Sequence, residues 1–169
     1  KPSSSESDVY KRQLKSREVF ATSGPRIQVK LEASASSMSC DAESSDSVAM
    51  GGEITTLAQA PSLKIQALYD STPLQSIEVI KGEFRDGHIK EHTIDVWHSL
   101  SGSLNACDTW QDPEFDPKAP AFWYARIIES PTLRWSAHHC RRENRCYDFP
   151  DAETTIQERA WSSPIWYLP

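Results

Sequence analysis

Reactive side chains crowd together at only a few places in this 169-residue chain. Cys140 and Cys146 enclose the polar stretch Arg141-Arg142-Glu143-Asn144-Arg145. Free thiols in so polar a setting would be open to oxidation, so a disulfide closing this loop is the expected chemistry. Spacing alone assigns no partner to Cys40 or Cys107. A zinc site made from His138, His139, Cys140 and Cys146 is the sharper alternative, but the spacing follows no familiar ligand pattern and neighbouring histidines point apart on an extended chain. No metal ligand is therefore assigned. His88 and His92 share one face at a period of two, and with His98 they fit ordinary surface positions.

A second concentration combines arginine with tryptophan: Arg126, Arg134-Trp135, Glu158-Arg159, Trp161 and Trp166. An indole beside a guanidinium can stack on a sugar or help hold an anion. The same rings can equally fill a sandwich core with the arginine stems lying alongside. Arg134, Trp135, Glu158, Arg159 and Trp161 form the candidate functional cluster, expected to be structural more than catalytic, and no catalytic residue is assigned. A buried Glu158 would need a cationic partner, and Arg134 or Arg159 is expected to supply it. The carboxylates of Asp112-Pro113-Glu114-Phe115-Asp116-Pro117 could bind a cation or simply face water. Thr22-Ser23-Gly24-Pro25 puts a serine in a turn but lacks the context of a nucleophile elbow.

The elements that must position these residues are strands. Arg26-Ile27-Gln28-Val29-Lys30-Leu31-Glu32 alternates apolar and polar residues, which places Ile27, Val29 and Leu31 on one face. Further strands are expected at 62–69, with Leu63, Ile65 and Ala67 inward, at 76–84 and 88–97 joined by a tight Asp86-Gly87 turn, and at 121–129, 155–161 and 164–167. Only 14–20 reads as helical. All six tryptophans lie from Trp97 onward, whereas serine crowds the first fifty residues. The predicted fold is mainly β: an antiparallel, Ig-like β-sandwich with a short N-terminal helix and a disordered Ser-rich segment over 33–49.

Net charge sets limits on partners. At −6, with no block of Lys or Arg, the chain lacks the basic footprint of a nucleic-acid binder. No apolar run approaches the roughly 20 residues a membrane span requires, and the first residues lack the apolar core of a signal peptide. A disulfide at Cys140 and Cys146 favours an oxidising location, periplasmic or secreted.

Four stretches resemble a known family. Arg17-Glu18-Val19-Phe20-Ala21-Thr22-Ser23-Gly24-Pro25-Arg26-Ile27, the run from Asp112 to Pro117 with Ala121-Phe122-Trp123-Tyr124-Ala125-Arg126, Pro131-Thr132-Leu133-Arg134-Trp135-Ser136, and Gln157 through Tyr167 are similar to the uncharacterised family DUF3604. Met50-Gly51-Gly52 and Val79-Ile80-Lys81-Gly82 fit as well. Members of that family are longer, and their N-terminal part is similar to the metal-dependent hydrolase barrels of the polymerase-and-histidinol-phosphatase superfamily. The resemblance implies a divalent metal in the full-length protein and no cofactor in this piece. It also implies that the chain's principal partner is the missing N-terminal barrel. The expected division is a disordered or artefactual leader over 1–13, the end of the barrel over 14–32, a mobile Ser-rich linker over 33–49 and an accessory β-sandwich over 50–169. The rival reading is a stand-alone module that binds glycan or protein through exposed Trp and Arg.

Overall fold

A computed structural model describes residues 4–69, 72–85, 87–98, 105–148 and 150–169. In chain order the elements are α1 (Ser4–Ser16), β1 (Phe20–Thr22), β2 (Gln28–Ser34), β3 (Val48–Ala49), β4 (Glu53–Ile54), β5 (Ser62–Leu68), β6 (Leu74–Arg85), β7 (His88–His98), β8 (Asn105–Gln111), β9 (Ala121–Glu129), β10 (Thr132–Leu133), α2 (Trp135–Arg142), β11 (Thr155–Ile156), β12 (Arg159–Ser162) and β13 (Ile165–Tyr167).

The chain is mainly β, and among the described residues all but one of the strand pairs are antiparallel, the exception being β4 with β13. In the larger sheet β9 is central. One of its edges pairs with the long strand β6, which continues into β7, and the other carries β12 and then β13. The register along β9 slips by one residue between those two short strands, because Ser163-Pro164 interrupts a single kinked strand and proline offers no N–H to the ladder. The second sheet has the order β3-β2-β5-β8.

The two sheets bury their facing side chains together. Ile27, Val29, Leu31, Leu63, Ile65 and Ala67 from one meet Ile77, Val79, Trp123, Ala125, Ile127 and Ile165 from the other in one continuous apolar core. Strand β9 buries every odd residue from Ala121 to Glu129 and leaves the even ones half-buried, the period of two that marks a pleated strand with one face inward. The predicted strands at 26–32, 62–69, 76–84, 88–97, 121–129 and 164–167 coincide with observed strands, whereas 155–161 divides at Gln157-Glu158 into β11, which pairs with β10, and β12, which pairs with β9. The Asp86-Gly87 turn falls partly outside the described residues; Gly87 itself has φ +80°, as a tight hairpin turn requires.

Three expectations are corrected. The helix covers 4–16, not 14–20, and so occupies the stretch expected to be a leader. It ends where Arg17 turns left-handed at φ +60°, with the Glu18 N–H bonded to the Gln13 carbonyl and the Arg17 N–H to the Leu14 carbonyl. That is a Schellman stop made without glycine, which hides it from sequence reading. Second, residues 20–34 do not belong to a separate unit: β1 pairs with β12, and β2 pairs with β5 over its whole length. Third, the Ser-rich stretch begins in β2, ends in β3 and is fastened in between. A disulfide joins Cys40 to Cys107 on β8, the buried Lys64 ammonium donates to the Ala42 carbonyl at 3.0 Å, and the Ser47 hydroxyl donates to Glu32 at 3.1 Å. Small polar residues gave no apolar signal, so the sequence could not reveal a segment held by covalent and polar ties.

Gly51 and Gly52 seat the end of α1. Gly51 has φ +87°, and a Cβ there would lie 2.4 Å from the Arg17 backbone. Arg17 also reaches Glu53 at 2.7 Å. The Met50-Gly51-Gly52 motif is therefore where chain approaches chain.

Candidate functional site

Four of the five cluster residues line one open groove. Ser23 follows β1, Arg134 follows β10, Glu153 precedes β11, and Glu158, Arg159 and Trp161 belong to β12 and its approach. Together they border a cavity of about 620 Å³. The strand pairings explain the convergence: β12 lies between β1 and β9, and the short β10–β11 ribbon brings Arg134 up beside them. Trp135, the fifth member, opens α2 outside this groove and is 81% exposed.

The polar groups of the groove are held in place. The Ser23 hydroxyl donates to the Glu158 carboxylate and accepts from the Arg159 backbone N–H at 2.8 Å. Arg134 donates from Nε to the Thr155 carbonyl at 3.1 Å and from Nη2 to Glu153 at 3.0 Å. The expected pairing of Glu158 with Arg134 or Arg159 is thus replaced. Glu158 is only half-buried, so a hydroxyl suffices as its partner, while Arg134 finds Glu153. Arg159 forms no ion pair among the described residues. The sequence had assigned Ser23 to turn chemistry, and nothing local to Thr22-Ser23-Gly24-Pro25 signals that it meets a carboxylate 135 positions away.

The Cys140–Cys146 disulfide is present as expected. It is built by a helix that the sequence did not announce. Just past the end of α2, Asn144 at φ +53° lets the Arg145 N–H reach back to the Cys140 carbonyl at 2.9 Å, and this reversal returns Cys146 to Cys140. The available signals were Asn144 as a left-handed stop and the bases His139, Arg141 and Arg142 in the last turn, where they favour the negative end of the helix dipole. Both sulfurs are consumed in this bond, so neither can serve as a zinc thiolate. His88 and His92 are exposed on β7, and His139 Nδ1 lies 3.0 Å from Arg142 Nη2. The side chain of His98 lies outside the described residues. Among the described residues no group of three His, Cys, Asp or Glu is arranged to hold a metal ion.

A polar network that sequence reading missed closes one end of the sandwich. Lys81 and Asp112, each 4% exposed, pair at 2.7 Å, and Lys81 also donates to the Glu114 carbonyl at 2.8 Å. The Trp123 Nε1–H donates to Asp112 at 3.3 Å, and Glu83 lies 3.6 Å from Lys81 while pairing with Arg85 at 2.7 Å. Hydrogen bonding to Glu83 raises the Arg85 pKa further above its ordinary value. Asp112 therefore already holds a cation, Lys81. Phe115 packs on Trp123 and Tyr167, and the Tyr167 hydroxyl donates to the Pro117 carbonyl at 2.8 Å. These contacts make the Asp112–Pro117 loop a plug over the core.

The outer face of the larger sheet carries an aromatic row. Phe122 contacts Trp166 at 5.1 Å and stacks near Tyr124 at 6.4 Å, and its ring lies over Gly82, where a Cβ would meet it at 2.0 Å. Burial, then the nearby Glu91 charge, raises the Tyr124 pKa. Phe84, Ile89 and Leu168 border the same row at 50%, 63% and 44% exposure.

No helix among the described residues is long and apolar enough to cross a membrane. Comparison with curated proteins yields no match. The model of the family described as a protein of unknown function (DUF3604) matches residues 7–106 and 97–169, strands of both sheets and the groove included, and the chain belongs to that family.

Proposed function

We propose that this chain is the accessory β-module of a larger metal-dependent hydrolase whose catalytic metals are held by an upstream barrel. The outer face of the larger sheet is the observation that carries this reading. Phe84, Ile89 and Leu168 stand exposed around the Phe122–Trp166 pair, bordering a hollow of about 130 Å³. A monomer rarely leaves such side chains contiguous and bare, and a neighbouring domain would cover them.

The donor set of this chain does not fit the divalent metal that the family resemblance implies. All four cysteines are oxidised, the Lys81 ammonium occupies the carboxylates of Asp112 and Glu83, and the described histidines stand exposed on β7 and α2 with no third ligand group beside them among the described residues. No reaction step is assigned to these residues. The chain's contribution is a stiff platform, stapled by two disulfides, that supports one side of its neighbour.

The test uses a longer family member split into two co-expressed halves, the upstream segment and the part matching this chain. The halves are expected to co-purify, and Asp at the positions of Phe84 and Ile89 is expected to separate them while leaving the β-half folded. Association unchanged by both substitutions, or no association of the unaltered halves, would overturn the reading.

A further inference from the structure

We propose that the groove bordered by Ser23, Arg134, Glu153, Glu158, Arg159 and Trp161 binds one ring of a neutral saccharide. Its volume of about 620 Å³ lies within the roughly 300–1,000 Å³ of small-ligand sites. Trp161 supplies the apolar wall. Its backbone is clamped in β12 between Ala21 and Arg126 on the flanking strands, so the half-buried indole is carried by a fixed strand and not by a loop. The C–H face of a pyranose is apolar and slightly positive, which suits the negative face of an aromatic ring.

Charge selects the class of ligand. Two guanidiniums, Arg134 and Arg159, face two carboxylates, Glu153 and Glu158, and the formal charges cancel. An anion drawn to the arginines would also meet both carboxylates. A sugar hydroxyl both donates and accepts, so it can accept from a guanidinium N–H and donate to a carboxylate oxygen. The partners are arranged in advance: Arg134 is held by Thr155 and Glu153, and Glu158 by Ser23, while the Arg159 guanidinium has no ion-pair partner among the described residues. Groups already ordered lose little freedom on binding. This site stands independently of the accessory-module reading, because saccharide binding requires no upstream domain.

The full chain is titrated, by intrinsic fluorescence and saturation-transfer NMR, against neutral trisaccharides of gluco, galacto, manno and xylo configuration. Polygalacturonate and inorganic phosphate form the anionic arms. At least one neutral trisaccharide is expected to bind, about tenfold more weakly to Trp161→Ala and with near-parental strength to Trp161→Phe, which keeps an aromatic wall. Arg159→Ala is expected to weaken binding, and Tyr147→Ala, an exposed aromatic outside the groove lining, to leave it unchanged. Circular dichroism confirms that each variant is folded. The proposal is overturned if no neutral trisaccharide binds up to its solubility limit. Binding that is indifferent to Trp161→Ala in a folded variant, or tighter binding of phosphate or polygalacturonate, overturns it as well.

Discussion

Replacing Cys40 and Cys107 together by alanine removes the disulfide that ties the Ser-rich segment to β8, and the size of the loss follows from where the bond sits in the chain. The two cysteines are 67 positions apart, against 6 for Cys140 and Cys146. In the chain-entropy account a cross-link stabilises by restricting the unfolded chain. That gives about 4.4 kcal/mol for the long loop and about 2.2 kcal/mol for the short one. At roughly 2–4 °C per kcal/mol for a chain of this size, the Cys40/Cys107 variant should melt roughly 9–17 °C below the parent and the Cys140/Cys146 variant roughly 4–9 °C below it. Calorimetry of the two double variants without reductant supplies the comparison. Limited proteolysis should then cut the long-loop variant first within 35–47, which the Lys64, Ser62 and Ser47 hydrogen bonds still tie to β5 and β2. A short-loop variant that loses as much stability as the long-loop one, or a Ser-rich segment that stays protected without its disulfide, would refute the reasoning.

Lys81→Met should cost about 3–5 kcal/mol, because it leaves Asp112 and Glu83 as buried carboxylates without their shared cation. Adding Asp112→Asn, which keeps an acceptor for Trp123, should return part of that loss in a denaturant-unfolding double-mutant cycle. Gly51→Ala should cost at least about 1–3 kcal/mol and loosen α1, since the residue is left-handed and abuts the Arg17 backbone; faster amide exchange in 4–16 is the readout. Tyr124 is held above its ordinary value, near pH 10, by burial. Its contribution is therefore fully present below about pH 10 and is lost as pH rises through the folded-state value. The stability difference between parent and Tyr124→Phe should be flat up to about pH 10 and move against the parent above it, and a flat difference throughout would exclude the shift.

Periodicity made the strands legible. Ile27, Val29 and Leu31 and the Leu63, Ile65 and Ala67 set declare an inner face by alternation, and each is buried as that pattern requires; the aromatic and β-branched run 121–129 announced a strand but not which face turns inward. The Cys140–Cys146 bond was legible from the polarity of its loop. What escaped is what periodicity does not encode. The stops of α1 and α2 rest on Arg17 and Asn144 turning left-handed, which gives no glycine signal. Lys81 and Glu83 sit at inward positions of β6 where an apolar residue is expected; Asp112, 31 positions further along, meets Lys81, while Lys81 and Arg85 meet Glu83. The groove was half legible: the arginine and tryptophan types pointed to it, whereas Ser23 and Glu153 joined it only through strand pairing.

The accessory role is tested most directly by turnover. The purified chain is incubated with manganese or zinc and the nitrophenyl esters of phosphate and acetate, beside a longer family member carrying the upstream segment. The account predicts metal-dependent release of nitrophenol by the longer protein and none above the protein-free control by this chain. Metal-dependent turnover by this chain alone would contradict it.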